Sequence, residues 1–341
     1  MDRFEGRRIR WGLLGGGKII DRWMKGALQC EDMEVVAVAS RTRKTAEAMA
    51  DKWQIPRVMT LDEMCSCPEI DAVYIPVPHS AHKELALRAM RAGKAVLVEK
   101  PAAVSEKEFD EMVLCARECG VFMMEAAWTR FFPAVEQLCE LLREGVIGRV
   151  RAVQAAFAFR MDGEWDGRLF DPARAGGGLL DVGVYPLHFA QALFGRAPEG
   201  ITGFCARDTD DRHIMVDEQA AFTAVYDQGE LMMGACGVRT QIPDNAYIYG
   251  EDGWFEVPEF WKAQKLIFHK GEETRVFDCP VSQTVPGMED EGYQYEIRHM
   301  NECLRGGLTE SPVVPFSATK CVLAQCDELR RQWGLVYPFE K

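Results

Sequence analysis

The sequence predicts an α/β fold in two domains, an N-terminal doubly wound parallel sheet followed by an α+β domain on a large, mainly antiparallel sheet. Three observations carry this. Short apolar runs alternate with amphipathic stretches from Ile9 to about Ala126. A triple glycine, Gly15-Gly16-Gly17, stands where the first run meets the first amphipathic stretch. Beyond Ala126, strand-like runs follow one another with no helix between them. At 341 residues, 48% hydrophobic and 27% charged, the chain is long enough for two cores.

In the first domain, expected over residues 1–125, IRWGLL, MEVVAVAS, DAVYIPV, KAVLVEK and VFMMEA have the length and bounding turns of strands buried on both faces. KIIDRWMKGALQC, TRKTAEAMADKW, SAHKELALRAMRAG and SEKEFDEMVLCARECG have helical periodicity, and the last opens with Ser105 and Glu108 at capping-box spacing and closes at Gly120. Such alternation gives right-handed βαβ units. In the second domain, residues 126–341, PAVEQLCELLREG and GGGLLDVGVYPLHFAQALFG read as helices. RVRAVQAAFAFR, EGITGFCARD, EQAAFTAVYD and ELMMGACGVRT read as strands, joined by polar turns such as Asp227-Gln228-Gly229. Two more helices, around Tyr293–Leu304 and Ser317–Trp333, end the chain.

A net charge of −13 repels nucleic acid and anionic membrane surfaces, which leaves small molecules as the expected ligands. No apolar run approaches the roughly 20 residues that span a bilayer. The opening MDRFEGRRIRWGLLGGG lacks the apolar core and cleavage site of a secretory leader, so a cytoplasmic location is expected. The twelve cysteines include the close pairs Cys65/Cys67 and Cys115/Cys119 but no repeated CxxC and no adjacent HxxxH. They read as reduced thiols, and no metal is expected.

The glycine turn points to a dinucleotide. Such a turn is tight, and its backbone must approach a pyrophosphate resting on the helix N-terminus, here at Lys18 and Ile19. Gly15 and Gly17 fill the first two places of GxGxxG, while Ile20 stands in the third. The second strand ends in Ser40-Arg41, followed by Arg43 and Lys44, where an NAD site usually carries a carboxylate for the ribose 2′-hydroxyl. A hydroxyl and a planar guanidinium suit a 2′-phosphate, so NADP is favoured over NAD. Pro78, His79 and His82, in PHSAH, follow a strand at the carboxyl edge of the sheet and are expected near the cofactor; two histidines without a third local ligand do not make a metal site.

Two features suggest chemistry. Glu99-Lys100-Pro101 ends a strand at the same edge, and the proline holds Lys100 out of helical geometry. In AGGGLLDVGVYPLHFAQALFG, Asp181 and Tyr185 stand at i and i+4 on one helical face, with His188 at i+3 from the tyrosine. The glycines around them mark places where another backbone or a ligand comes close. Trp128, Arg130 and Phe131 are candidate pocket walls, although such a Trp and Phe serve equally well as core. In RMDGEWDGRLFDPARA, Asp162, Glu164, Arg168 and Asp171 read either as sugar ligands or as solvated loop charges.

Taken in order, the glycine turn, PHSAH, VEKP, MEAAWTRFFP and AGGGLLDVGVYPLHF resemble the Gfo/Idh/MocA oxidoreductases, in particular their dihydrodiol dehydrogenase and NADP-dependent D-xylose dehydrogenase branches. The resemblance runs to the tail, ECLRGGLTESPVVPF and DELRRQWGLVYP, and EAAWTRFFP is its most specific stretch. It implies a Rossmann domain followed by an open-faced sheet that pairs two subunits, and a last helix, from about 317, returning to the first domain. It also implies Lys100 and Asp181 as functional residues, with Tyr185 where many members have histidine. The expected reaction moves a hydride between NADP and a secondary alcohol, ketone or hemiacetal of a sugar or cyclic trans-diol. Tyr185 would take the hydroxyl proton, Lys100 would favour the phenolate, and Asp181 would hold a neighbouring hydroxyl or Lys100 itself. The resemblance leaves open a non-catalytic sensor of dinucleotide and sugar, and cofactor-assisted glycoside cleavage.

Overall fold

The computed structural model describes residues 4–161, 167–207, 215–285 and 289–340; Asp162 and Glu164 lie outside them. By its contacts the chain divides into two units, Met1–Ala103 with Lys107–Trp128 and Ser282–Phe316, and Val104–Glu106 with Thr129–Val281 and Ser317–Lys341.

The first unit is built on five parallel strands, β1 (Ile9–Leu14), β2 (Met33–Ala39), β3 (Ala72–Ile75), β4 (Ala95–Glu99) and β5 (Met123–Ala126), in the order β2-β1-β3-β4-β5. Every residue of β3 and β4 is buried, as their unbroken apolar sequences require of strands covered on both faces. The helices are α1 (Ile19–Leu28), α2 (Arg43–Trp53), α3 (Leu61–Ser66), α4 (His82–Arg91) and α5 (Glu106–Cys119). Unforeseen among them is α3, although its capping box, Thr60 with Glu63, is written in the sequence. Ile20, in the place of the third motif glycine, is fully buried, so the helix packs there through a side chain.

The second unit carries α6 (Pro133–Arg143), β6 (Val150–Ala158), a π-helical turn at Leu179–Gly183 running into α7 (Val184–Phe194), and β7 (Gly200–Ala206), β8 (Gln219–Val225) and β9 (Leu231–Gly237). Then follow β10 (Ala246–Gly250), β11 (Trp254–Val257), β12 (Lys265–Lys270) and β13 (Glu273–Asp278), four strands the sequence reading passed over. Together they form one sheet of order β13-β12-β11-β10-β6-β9-β8-β7, in which β6 and β9 pair parallel and every other neighbour antiparallel. One face buries Val153, Phe222, Met232, Ile248, Phe255 and Leu266. The alternate residues, among them Tyr247, Tyr249 and Trp254, are only partly covered.

The segment that returns to the first unit is not the last helix. It is residues 282–316, carrying α8 (Tyr293–Arg305), whereas α9 (Phe316–Trp333) belongs almost wholly to the second unit. Packing explains the correction. A Cβ on Gly26 of α1 would lie 2.6 Å from Tyr293 Cβ and 2.8 Å from Gln294 N, so this glycine lets α8 press close. The end of α9 is tied to β7 instead: Trp333 Nε1 donates to Gly203 O at 2.9 Å and Gln332 Nε2 to Ile201 O at 2.8 Å. The cysteines form no disulfide, no described helix is long and apolar enough to cross a membrane, and no group of three metal-capable side chains occurs among the described residues.

Candidate active site

In the first unit, sterics explain the glycine turn. A Cβ on Gly15 would lie 2.8 Å from Pro76 O, and one on Gly16 would lie 2.3 Å from Thr45 Cγ2 and 3.1 Å from Ser40 Oγ. Gly17 faces open space, its Cβ position meeting nothing nearer than Pro76 O at 3.8 Å. Gly16, Gly17 and Lys18 are exposed, Ile19 is half-buried, and α1 has no side-chain cap. Uncapped amides at an accessible helix N-terminus fit a pyrophosphate. Ser40 thus stands beside the turn. Arg41 is exposed, and no ion pair involves it among the described residues, whereas Arg43 is paired with Glu47 at 2.8 Å.

Polar contacts pin the end of β4 where Lys100 stands. His82 is fully buried, with Nδ1 2.8 Å from Pro101 O and Nε2 2.9 Å from Val77 O. Burial lowers its pKa to about 4, so the ring is neutral and donates one of these bonds. The expected cofactor contact of His82 is therefore corrected: the buried ring donates to the main chain of one of these two loops and packs against the other. Glu99 is likewise committed, accepting from Tyr74 Oη at 2.5 Å and from the Lys100 N–H at 3.1 Å, and burial raises its proton affinity against the pull of Lys100. Glu125 Oε1 accepts from Ala102 N at 2.9 Å. His79 is buried edge-on to His82, with ring centres 5.8 Å apart, and Pro78 is exposed. Trp128 is 2% exposed and stacks on Tyr293 at 4.2 Å with Arg22 over both rings, so it is core and not a pocket wall.

In the second unit, Asp181 is buried in the π-helical turn and accepts from Arg168 Nη2 at 2.9 Å. Arg168, a candidate substrate ligand, is thus the partner of Asp181. Asp171 accepts from Ala173 N at 2.9 Å and pairs with Arg174 at 3.0 Å, which makes it a loop fixture. Tyr185, half-buried in the first turn of α7, meets Phe157 edge-on at 5.1 Å and Trp261 at 6.5 Å, and these two rings stack on each other at 4.9 Å. Arg130, expected in a pocket wall, donates to Gln191 on α7 and braces that helix; Phe131 is half-buried. His188 is buried on the same helix.

The sequence reading missed three residues. Phe157 was read only as strand, and Trp261 lies in a stretch, EFWKAQ, with no recognisable pattern. Asp217, fully buried, accepts from Leu179 N through Oδ2 at 2.5 Å and from Gly178 N through its main-chain oxygen at 2.8 Å. It anchors the start of the π-helical turn, and burial raises its pKa to about 7. A Cβ on Gly176 would lie 2.5 Å from Leu169 O, and one on Gly177, whose φ is +118°, would lie 2.2 Å from Asp217 Oδ1. Backbone and a buried carboxylate explain these glycines.

A parallel sheet with an open glycine turn at its first strand and helix, followed by a mainly antiparallel sheet bearing a polar π-turn helix, defines a two-domain dinucleotide-dependent oxidoreductase. Comparison with known families agrees. Residues 9–126 match an oxidoreductase family with an NAD-binding Rossmann fold, and residues 135–256 match the Gfo/Idh/MocA C-terminal domain. The chain belongs to the Gfo/Idh/MocA oxidoreductases, and is an NAD(P)-binding enzyme of the dehydrogenase and reductase class. It is 35% identical to the trans-1,2-dihydrobenzene-1,2-diol dehydrogenase of Mus musculus, over 98% of this chain and 99% of that one. It is 34% identical to the protein of the same name from Homo sapiens, with the same coverage. Among solved structures it resembles in fold an aldose-aldose oxidoreductase from Caulobacter crescentus, with a TM-score of 0.83 and 24% identity over 96% of this chain and 98% of that one. The 3-ketoreductase KijD10 from Actinomadura kijaniata, crystallised with NADP and TDP-benzene, gives a TM-score of 0.83 and 24% identity over 95% of this chain and 98% of that one.

Proposed function

We propose that the protein is an NADP-dependent oxidoreductase that moves a hydride between the nicotinamide and a secondary alcohol, ketone or hemiacetal of a sugar or a cyclic trans-diol. One observation carries the reading: Tyr185 stands half-exposed against the Phe157 and Trp261 rings, one helical turn from the Asp181–Arg168 pair. Bound nicotinamide supplies the carbon that accepts or gives the hydride. Tyr185 takes the hydroxyl proton, and Lys100 stabilises the substrate oxygen as negative charge develops on it. A free tyrosine has a pKa near 10, so the lysine charge also favours the phenolate. Asp181 accepts from the neighbouring hydroxyl, and the two aromatic rings suit the flat C–H face of a ring substrate. The names of the relatives favour a cyclic trans-diol. Gly15 to Ile19 hold the pyrophosphate, Pro78 and His79 flank the cofactor, and Ser40 with Arg41 take the 2′-phosphate, which makes NADP preferred to NAD.

The test is NADPH or NADH formation by the purified protein against cyclic trans-diols and aldopyranoses, with Tyr185→Phe and Lys100→Met as controls. Turnover that prefers NADP and falls about 100-fold or more in both variants is expected. Turnover surviving in Tyr185→Phe removes the proton-transfer role, and cofactor binding without turnover on the whole panel favours a sensor. We also infer a cytoplasmic homodimer. Twelve cysteines without a disulfide suit a reducing compartment. The outer sheet face, with Tyr247, Tyr249 and Trp254 partly covered and Phe204 85% exposed, is apolar enough to pair with a second copy. Sedimentation at the mass of one chain would count against the dimer.

A further inference from the structure

Oxidation of an alcohol to a ketone removes a hydride from carbon and a proton from oxygen, and that proton must leave the protein at every turnover. The first unit holds groups suited to this task that the proposed reaction does not use. Glu296 on α8 is fully buried, and neither carboxyl oxygen has a hydrogen-bond partner among the described residues. Trp23 Nε1 on α1 and Gln294 Oε1 on α8 are equally buried and also without partners there. Buried polar atoms in this condition are normally bridged by water, and a carboxyl so placed keeps its proton.

Two other buried carboxyl groups act on Glu296. Glu99, whose charge acts on Glu296, accepts from Lys100 N and Tyr74 Oη, and the Trp23 ring lies flat on Tyr74 at 4.5 Å. Asp290 acts on it likewise and is 5% exposed; its Oδ1 has no partner among the described residues and its Oδ2 accepts from Gln294 N at 3.3 Å. The next residue, Glu291, pairs with Arg22 at the surface. Burial raises the proton affinity of Glu99, Glu296 and Asp290 alike.

We propose that Glu296 is a proton relay which, through bridging water, joins Glu99 beside Lys100 to Asp290 and the surface at Arg22 and Glu291. The proposal rests on the oxidoreductase reading of Lys100. Tyr185, having taken the proton of the substrate hydroxyl, gives it to Lys100 as the Lys100 ammonium passes a proton of its own to the Glu99 carboxylate, so that phenolate and ammonium are both restored. Glu296 gives its resting proton towards Asp290 and takes the one from Glu99, an O–H bond breaking for each that forms, and Asp290 releases a proton to solvent. Each group returns to its starting state, and ketone reduction runs the path inward.

Glu296→Gln keeps size and hydrogen-bonding capacity but removes the titratable proton. One readout needs no turnover: the infrared spectrum of the wild type at neutral pH shows a buried protonated carboxyl that Glu296→Gln lacks. A spectrum without that band overturns the proposal. The second is stopped flow with a pH-indicator dye beside NADPH absorbance. Proton and NADPH appear together in the wild type, and in Glu296→Gln the proton lags the hydride step tenfold or more, with partial recovery in Glu296→Asp. Coincident traces in Glu296→Gln overturn the relay, and Asp290→Asn, expected to lag less, serves if Glu296→Gln does not fold. A wild type that forms no NADPH condemns the oxidoreductase reading, while the infrared band judges Glu296 on its own.

Discussion

The surroundings of Lys100 and of Tyr185 are built on different principles. Lys100 stands at a strand end held by side chains that bond main chain: His82 to Pro101 or Val77, Glu99 to Lys100, Glu125 to Ala102. Tyr185 stands on a helix placed by shape. Gly176 and Gly177 thread past the main chain of Leu169 and the carboxylate of Asp217, Gly183 leaves room for Cys236 Sγ, and two stacked rings meet the phenol. The first arrangement stores its precision in a few titratable groups, the second in the absence of atoms. They should therefore fail differently.

The largest effect is expected on the helix side. Gly177→Ala would put a Cβ 2.2 Å from Asp217 Oδ1 at a φ of +118°, and neither the carboxylate nor the backbone has an easy way to yield. We expect a loss of about 3 kcal/mol of unfolding free energy, read from urea midpoints. His82→Phe puts a slightly larger apolar ring in the same place and removes the one hydrogen bond that the neutral imidazole donates to the Pro101 or Val77 carbonyl. About 1–3 kcal/mol should be lost. Because the ring packs against the loop beside Lys100, turnover should fall about 10-fold or more with little change in cofactor binding. A Gly177→Ala protein as stable as the wild type would break the comparison on the helix side. Full turnover in His82→Phe would break it on the lysine side.

What could be read from the sequence follows the same division. The five parallel strands were legible because each is a short, mainly apolar run between turns, and EKP and PHSAH because their constraints are local. Lys100 and His82 are neighbours through two loops at one sheet edge, so their placement lay within reach, even though His82 turned out to support loops. The helix side depends on partners far away in sequence: Asp217 meets Leu179 across 38 residues, and Trp261 meets Tyr185 across a stretch that reads as nothing in particular. The strands β10 to β13 were missed for a related reason. WFEV and KLIFHK mix Glu, Lys and His with apolar residues, because only one of their faces is buried. The destination of α8 was hidden in a single residue, Gly26, whose meaning appears only when Tyr293 lies against it.

The smallest effect discriminates most finely, because the two sides carry titrations of opposite sign. Asp217 binds its proton with a pKa of about 7 in the folded protein against an ordinary 3.8, so between those values the folded state holds more protons and stability falls as pH rises. For His82 the folded value is about 4 against 6.5, so the unfolded state holds more protons there and stability falls as pH drops. Between pH 4 and 6.5 the two contributions oppose each other in the wild type. Each substitution should unmask the other. Relative to the wild type, Asp217→Asn should make stability rise more steeply with pH across this window, and His82→Phe should make it fall. Urea midpoints near pH 4.5 and pH 6.5 for the three proteins measure the slopes. Equal slopes would mean that neither group titrates differently on folding, and that both sides are held by shape alone.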